Sequence, residues 1–473
     1  MRAYALFAVV LVAWIMSLLG GWLLDGLLAW AAGLFYVAYD TWLLAYVAWH
    51  TRKLRYTPPV SAGELDSKAN DAPVTLAVLI AARNEELMLP VCLRALLAQT
   101  DMPDEILVID DGSTDATCAV LEREFALVAD ANAKVPSNGA QLTCAGRIRV
   151  LHKVNAGKAS ALNDGLQCVR SDVVITIDAD TLLEPQAIAA MRSAFAQNAA
   201  LVAACGVLRP RCAPGWRGRV FEWFQTFEYL RAFLSRVAWM RIDALLLVSG
   251  AFAGYRRLPL LQVGGYRASS RVEDYELIHR MHRHSHEHAL GWHIRVVSGA
   301  SAETDAPASL RYFLRQRSRW FAGFLETLLA NRDMVGNPRY AAVGRFMLPV
   351  KTVDTLQPVF GLTAFALLLY FLVTQQPVLQ LVLLVIAVKL ALDVLFHLWS
   401  VYLYHRWLGQ RVAARTWWLA VAAAFAEPFS FQLLRHSGAL SGWGSFLSKR
   451  TDWVPQRQNQ ALALSKNQTE ERP

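Results

Sequence analysis

The sequence predicts an α/β domain with a mainly parallel sheet, embedded in a bundle of transmembrane α-helices. Hydrophobic residues make up 55% of the 473 residues and charged residues only 18%, which is unusual for a soluble protein. The apolar residues are concentrated in long blocks near the two ends of the chain. Between residues 76 and 178, short apolar runs alternate with helical patterns, an order typical of βαβ units.

Residues 1–55 are predicted to form a transmembrane helical hairpin. The blocks 4–24 and 27–49 are nearly uncharged, and each can cross a hydrocarbon core of roughly 30 Å. A cleaved signal peptide is the alternative for the first block, but the second apolar block follows at once. The basic residues within 50–55 place the chain that follows in the cytoplasm by the positive-inside rule. Residues 56–75, rich in Pro, Ser, Asp and Lys, are predicted to be a linker.

Residues 76–335 are predicted to form a cytosolic domain. Buried strands are expected at 76–81, 105–109, 148–152 and 173–177, and helices at 85–99, 116–128 and 159–169. Ligands bind at the carboxyl ends of parallel strands, and four aspartates follow such strands: Asp110, Asp111, Asp178 and Asp180. The stretch 131–146 is interpreted as a surface insertion.

Two segments of this domain have the pattern of helices that lie in the membrane interface, near 216–242 and 310–331. The first interleaves Trp and Phe with five arginines, which suits a headgroup layer. An ordinary core helix is the alternative. The second contains the sequence QRSRW and is expected to hold the domain against the membrane.

Residues 346–435 are predicted to be a second transmembrane region. Three apolar blocks lie at 346–373, 378–404 and 416–434, and Glu427-Pro428 interrupts the last of them. Residues 436–473 are expected to be a basic tail. The positive-inside rule favours a cytosolic tail, so one block is expected to be broken, re-entrant or split.

The net charge of +9 and the pI near 9.3 suit a protein that lies against anionic lipid and handles diphosphates. No nucleic-acid partner is expected, because the basic residues cluster beside the membrane segments and no nucleic-acid module is recognised. The six cysteines form no C-x-x-C pair and are interpreted as reduced thiols.

Seven motifs occur in order between residues 76 and 320: LAVLIAARNEE, EILVIDDGSTDAT, NAGKASALNDGL, VVITIDADTLLEP, VSGAFAGYRR, RVEDYELIHR and QRSRW. This order resembles the membrane-bound family 2 glycosyltransferases, whose processive members include synthases of cellulose, hyaluronan, chitin oligomers and poly-N-acetylglucosamine. The resemblance implies a GT-A fold, a Rossmann-like arrangement. It also implies an inverting transfer from a sugar nucleotide.

The resemblance assigns most of the aspartates to the donor. Asp110 and Asp111 would contact uracil or ribose, and Lys158 would reach a phosphate. Asp178 and Asp180 would contact the nucleotide and the metal, Mg²⁺ or Mn²⁺, with Asp180 the direct metal ligand. The alternatives are a capped turn for the D-x-D pair and a solvated lysine for Lys158.

The remaining motifs are assigned to the acceptor side. Asp274 matches the family's catalytic base, which removes the proton of the attacking hydroxyl, although Val272 departs from the family's usual Thr or Ser. Glu273, Ser249 and Gly250 would border the acceptor. The alternative for Glu273 and Asp274 is favourable placement of carboxylates at a helix start.

The QRSRW motif matches the family pattern Q-x-x-R-W. Gln316 and Trp320 would border the acceptor, and Arg319 would face the diphosphate, since an aromatic ring stacks on a sugar and an arginine stabilises the leaving group. The alternative is a membrane-interface helix anchored by Arg and Trp.

Two further stretches are less specific. Six histidines between His279 and His293 could bind a transition metal, but a solvated helix end or loop fits better, since no structural-zinc spacing is present. Near the C-terminus, GWGSFLSKRTDW resembles the gating segments of some processive synthases.

The expected function is metal-dependent extension of a β-linked polysaccharide from a UDP-sugar, of UDP-GlcNAc or UDP-glucose type, with translocation across a bacterial inner membrane. The partners would be the UDP-sugar, the growing glycan or a lipid acceptor, and the bilayer, with room for accessory export subunits. One alternative is a non-processive enzyme that adds a single sugar to a lipid. Another is a sugar-nucleotide-binding membrane protein without catalysis.

Overall fold

The computed structural model describes residues 2–54, 74–129 and 141–448. The described chain divides into two compact units. An α/β unit comprises residues 74–222 and 245–308, and a helical unit comprises 2–54, 223–244 and 309–448. Most of the predicted linker 56–75 lies outside the described residues.

The α-helices are numbered α1 to α14 in chain order. They are α1 Arg2–Leu23, α2 Ala31–Thr51, α3 Leu89–Leu97, α4 Thr117–Phe125, α5 Lys158–Cys168, α6 Ala187–Gln197, α7 Trp216–Met240, α8 Arg257–Gln262, α9 Glu273–Glu287, α10 Leu310–Ala330, α11 Leu348–Thr374, α12 Leu379–Trp407, α13 Ala414–Ala426 and α14 Phe431–Leu447.

The strands are β1 Leu76–Ala82, β2 Glu105–Asp111, β3 Val128–Ala129, β4 Gln141–Ala145, β5 Ile148–Lys153, β6 Val173–Asp178, β7 Thr181–Leu183, β8 Leu201–Arg211, β9 Phe252–Arg256 and β10 His293–Asp305. Within the described residues they form one sheet in the order β3-β4-β5-β2-β1-β6-β9-β8-β10-β7.

The predicted parallel sheet is the centre of this larger, mixed sheet. β5, β2, β1 and β6 are parallel neighbours, as the alternation of apolar runs and helices indicates. β9 pairs antiparallel with β6 and β8, and β10 pairs parallel with β8 and antiparallel with β7. The other antiparallel pairs join β4 to β5 and β3 to β4. Part of the predicted surface insertion is therefore strand β4.

The central strands are buried, which explains their continuous apolar sequences. All residues of β1 except Ala81 are buried, and so are the apolar residues of β2 and β6. Parallel strands covered on both faces require such runs. The first polar side chains therefore occur where these strands end, and this places the aspartates at the carboxyl edge of the sheet.

In the helical unit, four described helices are long and apolar enough to cross a membrane: Ala5–Leu23, Gly26–Thr51, Val343–Thr374 and Leu379–Trp407. A bent pair, Ala414–Phe429 with Phe431–Leu447, raises the number to five if the pair is one span. The pair bends by 46°. The break lies at Ser430, directly after the 3-10 turn Glu427–Phe429, where Pro428 cannot donate a backbone hydrogen bond.

Ion pairs join the helices of this unit. Glu427 accepts a hydrogen bond from Arg231 of α7 and lies 3.5 Å from His397 Nε2 of α12. Lys389 Nζ of α12 lies 2.8 Å from Asp40 Oδ2 of α2. Buried charges of this kind are tolerated when they are paired.

The C-terminal part of the chain differs from the expected basic tail. Residues 436–447 continue helix α14, and Gly438 and Gly442 allow its backbone to approach α10. A Cβ at Gly438 would lie 2.6 Å from Cβ of Arg317. The basic part of the proposed gating segment, from Lys449 onward, lies outside the described residues.

Candidate active site

The carboxyl edge of the α/β unit brings together nine of the predicted residues. Asp110 and Asp111 end β2, Asp178 ends β6, and Asp180 immediately precedes β7. Lys158 begins α5, Glu273 and Asp274 begin α9, and Gly250 precedes β9. Ser249 adjoins Gly250 and its carbonyl accepts a hydrogen bond from Phe252 N–H, 3.2 Å away.

Asp111 holds the loop between β5 and α5 in place through hydrogen bonds. Its carboxylate accepts hydrogen bonds from the backbone N–H groups of Ala156 (2.9 Å) and Gly157 (2.8 Å) and from Nδ2 of Asn155 (2.9 Å). The ammonium group of Lys153 lies 3.1 Å away. Since these four donors occupy both oxygens of a buried carboxylate, Asp111 positions the loop that leads to Lys158.

Asp110 faces a different set of neighbours. Its Oδ1 accepts from Ser113 N–H at 3.0 Å, and its Oδ2 lies 2.9 Å from Cys118 Sγ and 3.3 Å from His152 Nδ1. Burial raises the pKa of Asp110, but the hydrogen bonds from these three neighbours outweigh burial and lower it to about 2. The carboxylate is therefore ionised at neutral pH.

Lys158 connects the D-x-D end of the site to the helix that carries Asp274. Its Nζ lies 2.5 Å from Asp178 Oδ1 and 3.3 Å from Glu273 Oε1. Burial lowers the pKa of Lys158, but the charges of Asp178 and Glu273 outweigh it and raise the pKa above the usual lysine value. Lys158 is a half-buried cation that lies between two carboxylates.

Asp274 is held in one orientation by backbone donors. Gly250 N–H donates to its Oδ2 and Tyr275 N–H to its Oδ1, each with an N···O distance of 2.7 Å. Burial and the neighbouring charge of Glu273 raise the pKa of Asp274. An alanine Cβ at position 250 would lie 3.1 Å from Oδ2, so the close approach depends on glycine.

Asp180 lies among groups that favour a cation. Burial and the charge of Asp178 raise the pKa of Asp180 to about 7. Thr304 pairs with Thr181 across β10 and β7, and this register places Asp305 beside Asp180. Burial and the charge of Asp180 raise the pKa of Asp305 to about 8.

The same aspartates fit the divalent metal that the resemblance implies. Oδ1 of Asp305 is buried and has no hydrogen-bond partner among the described residues. A buried, unpaired carboxylate oxygen is costly unless a cation or a proton accompanies it. Oxygen ligands of this type are those preferred by Mg²⁺ and Mn²⁺.

Gln316, Arg319 and Trp320 lie on α10, in the helical unit. Their neighbour Arg317 is buried, donates to Glu228 at 2.7 Å, and lies over the Trp320 ring, 4.4 Å from its centroid. Oε1 of Gln316 is buried without a hydrogen-bond partner among the described residues.

The histidine-rich stretch is mostly helix rather than loop. His279 and His282 are buried in α9, while the rings of His284 and His288 lie 4.2 Å apart. Residues that sequence reasoning did not assign also reach the site: Lys153, Asn155, Cys118, His152 and Asp305. Their roles depend on strand register, since Asp110 pairs with His152 and Asp111 with Lys153 across β2 and β5.

Comparison with known proteins bears on the family and the fold of this chain. The family model described as glycosyl transferase family 2 matches residues 77–263. Poly-beta-1,6-N-acetyl-D-glucosamine synthase of Staphylococcus aureus (strain COL) is 26% identical over 295 residues, covering 61% of this chain and 63% of the synthase. The Staphylococcus epidermidis synthase of the same name is 25% identical over 286 residues, covering 60% and 62%. The match thus spans less than two thirds of these curated relatives.

The fold is shared with a solved structure. A mannosyltransferase from Pyrobaculum calidifontis, in complex with GDP-Man and Mn²⁺, superimposes with a TM-score of 0.54 at 17% identity, covering 89% of this chain and 99% of that one. The GT-A fold is confirmed. A second family model, described as glycosyl transferase family group 2, matches residues 173–426, more than half of the chain. The chain therefore belongs to the family 2 glycosyltransferases.

Proposed function

We propose that this protein is an inverting, metal-dependent glycosyltransferase that uses a UDP-sugar to extend a β-linked polysaccharide and passes the product across a bacterial inner membrane. One observation carries the proposal: Lys158 contacts both Asp178 of the D-x-D motif and Glu273, the neighbour of Asp274. The donor motif and the base motif therefore share one continuous polar site.

In this proposal the nucleotide lies along the carboxyl edge of the sheet. Asp110 contacts the uracil or ribose, and Asp111 holds the loop from Asn155 to Gly157 in place for Lys158. Lys158 exchanges one of its carboxylate partners for a phosphate oxygen when the donor binds. The donor would be of UDP-GlcNAc or UDP-glucose type, the former by analogy with the staphylococcal synthases.

Mg²⁺ or Mn²⁺, held by Asp180 with Asp305 beside it, would neutralise the diphosphate as it leaves. Asp178 remains close enough to Lys158 to orient it. Arg319 of α10 would add countercharge to the leaving group, as the family motif implies.

Asp274 acts as the general base. The acceptor hydroxyl loses its proton to a carboxylate oxygen of Asp274 as its oxygen attacks the anomeric carbon. The bond from that carbon to the diphosphate breaks, and UDP leaves with the electron pair. The raised pKa of Asp274 makes its carboxylate a stronger base than an exposed aspartate.

The acceptor would be the growing glycan. The family motifs assign five residues to it: Ser249, Gly250, Glu273, Gln316 and Trp320. The long apolar helices of the helical unit support a membrane protein that could conduct its product. The basic flank at 50–55 favours a cytosolic catalytic unit, with α7 and α10 at the membrane interface.

The test uses the full chain in lipid nanodiscs, incubated with Mn²⁺ and a panel of UDP-sugars, with products weighed by mass spectrometry. We expect a ladder of glycan masses from one donor. Asp274→Asn should lower the rate of sugar transfer by about 10²- to 10⁴-fold, so that the ladder disappears, while UDP binding persists. Glu287→Gln, at the exposed far end of the same helix, is the matched control.

Two outcomes would contradict the proposal in different ways. A lipid carrying one sugar as the only product would exclude polymer extension and leave a glycolipid-forming enzyme. UDP-sugar binding without turnover of any donor would exclude catalysis.

A further inference from the structure

The side chains of Asp110, Cys118 and His152 meet at one point of the α/β unit. They come from three different elements: the end of β2, the first turn of α4 and the end of β5. Asp110 and His152 are register partners in the parallel pair β2–β5. One potential ligand atom from each residue lies within 4.8 Å of the other two.

The distances between these atoms resemble those of a tetrahedral zinc site. With metal-ligand bonds of about 2.3 Å to sulfur and about 2.0 Å to nitrogen and oxygen, tetrahedral angles separate S and N by about 3.5 Å and N and O by about 3.3 Å. The structure has Cys118 Sγ 3.6 Å from His152 Nδ1, and His152 Nδ1 3.3 Å from Asp110 Oδ2.

The third distance, between Cys118 Sγ and Asp110 Oδ2, is shorter than in a zinc site because the thiol still carries its proton. Cys118 Sγ lies 2.9 Å from Asp110 Oδ2, as a thiol that donates its proton to the carboxylate. A metal ion replaces that proton, which leaves to solvent, and the two atoms then move apart to about 3.5 Å as ligands of the same ion. Rotation of the partly buried Cys118 side chain is sufficient for this change.

A fourth residue prepares the histidine for coordination. Thr143 Oγ1 of β4 lies 3.2 Å from His152 Nε2 and can accept its proton in a hydrogen bond. Without a metal ion Nδ1 donates to Asp110; when an ion takes its place on Nδ1, the ring proton moves to Nε2, where Thr143 can accept it. Metal-binding histidines commonly have such an outer partner.

We propose that Asp110, Cys118 and His152 form a binding site for Zn²⁺ or a similar thiophilic divalent ion, with Thr143 as the outer partner of the histidine. The ligand set of thiolate, imidazole and carboxylate distinguishes it from the carboxylate pair Asp180 and Asp305, whose oxygen atoms suit Mg²⁺ or Mn²⁺. Three protein ligands leave a fourth position for water or another small ligand.

The test is Co²⁺ titration of the full chain in detergent, without nucleotide and with any affinity tag removed. Co²⁺ bound to a thiolate gives a near-ultraviolet charge-transfer band that histidine-only sites lack. The wild type should show this band, and added Zn²⁺ should remove it. Cys118→Ser should lose the band and bind Co²⁺ at least about tenfold more weakly, while Cys168→Ser, altered at another half-buried cysteine, should match the wild type.

Two further variants separate coordination from folding. Thr143→Val keeps all three ligands and should keep the band while weakening Co²⁺ binding by about 10- to 100-fold. His284→Asn with His288→Asn removes the neighbouring ring pair of α9 and should leave the band unchanged. A wild type without a thiolate band, or a band that survives in Cys118→Ser, would overturn the proposal. The proposed transfer reaction is untouched by either result, because no nucleotide is present.

Discussion

Replacing Gly250 with alanine should slow catalysis without weakening donor binding. The new Cβ would lie 3.1 Å from Oδ2, 3.3 Å from Cβ and 3.4 Å from Cγ of Asp274. Because ordinary contacts lie at 3.4 Å or more, the carboxylate must withdraw by about 0.3 Å. The hydrogen bond from Gly250 N–H, now 2.7 Å, lengthens accordingly.

The expected loss follows from this displacement. A misplacement of 1 Å can cost about 100-fold in rate, so a shift of about 0.3 Å corresponds to about fourfold in kcat, or about 0.8 kcal/mol. A longer hydrogen bond also stabilises the ionised carboxylate less, which raises the pKa of Asp274 further. The base acts when ionised, so the acid limb of the kcat profile should move to higher pH.

The assay is UDP release over a pH series, with UDP affinity measured separately by calorimetry. Gly20→Ala is the matched control, because its Cβ also meets a neighbour at 3.1 Å, but that neighbour is the flexible tip of Leu24. The control should retain wild-type kcat. Unchanged kcat in a folded Gly250→Ala protein, or a parallel loss of UDP affinity, would refute the reasoning.

Four further predictions follow from the same site and from the membrane helices. In the wild type, kcat should fall as pH falls through an apparent pKa above the usual aspartate value of about 4, because Asp274 must be ionised and its pKa is raised; a limb at or below 4 would contradict this. Asp180→Ala should weaken UDP binding by about tenfold or more in Mn²⁺ and little without it; unchanged metal dependence would remove Asp180 from the metal site. Ser465 lies outside the described residues. If the bent helix pair is re-entrant, a cysteine at this position should resist labelling by a membrane-impermeant maleimide in intact cells. Rapid labelling would instead indicate that the pair crosses the membrane as one span. Trp320→Ala should shorten the glycan products more than it reduces donor hydrolysis, because about 1 kcal/mol of stacking on the acceptor sugar is lost. A wild-type distribution of product lengths would show that Trp320 does not bind the acceptor.

The sequence was most informative where local pattern and tertiary structure agree. Four buried strands between residues 76 and 178 are continuous apolar runs, so their positions and parallel order could be predicted. β10 contains Ser, Gly and Ala residues within its length, and β4 is short and partly exposed. Neither has the periodicity that identifies a strand, because each is stabilised by its neighbours in the sheet.

The candidate site also combines features that local sequence shows with features that only the tertiary structure shows. Motif positions made Asp110, Lys158 and Asp274 candidates, because these residues end strands or lie at the starts of helices. The partners of those residues could not be predicted, since they depend on long-range register: His152 reaches Asp110 only because β5 pairs in one particular alignment with β2. The fastening role of Asp111 depends likewise on a loop more than forty residues away.

The order of strands in the sheet has a consequence for biosynthesis. β6 ends at Asp178, but β9, which pairs with one of its edges, begins only at Phe252, after all of α7 has been translated. At about 5–20 residues per second, the nascent chain spends on the order of 10 s with that edge of β6 unpaired. An open edge of buried apolar strands is a template for aggregation. We therefore expect a chain terminated before residue 252 to aggregate rather than fold.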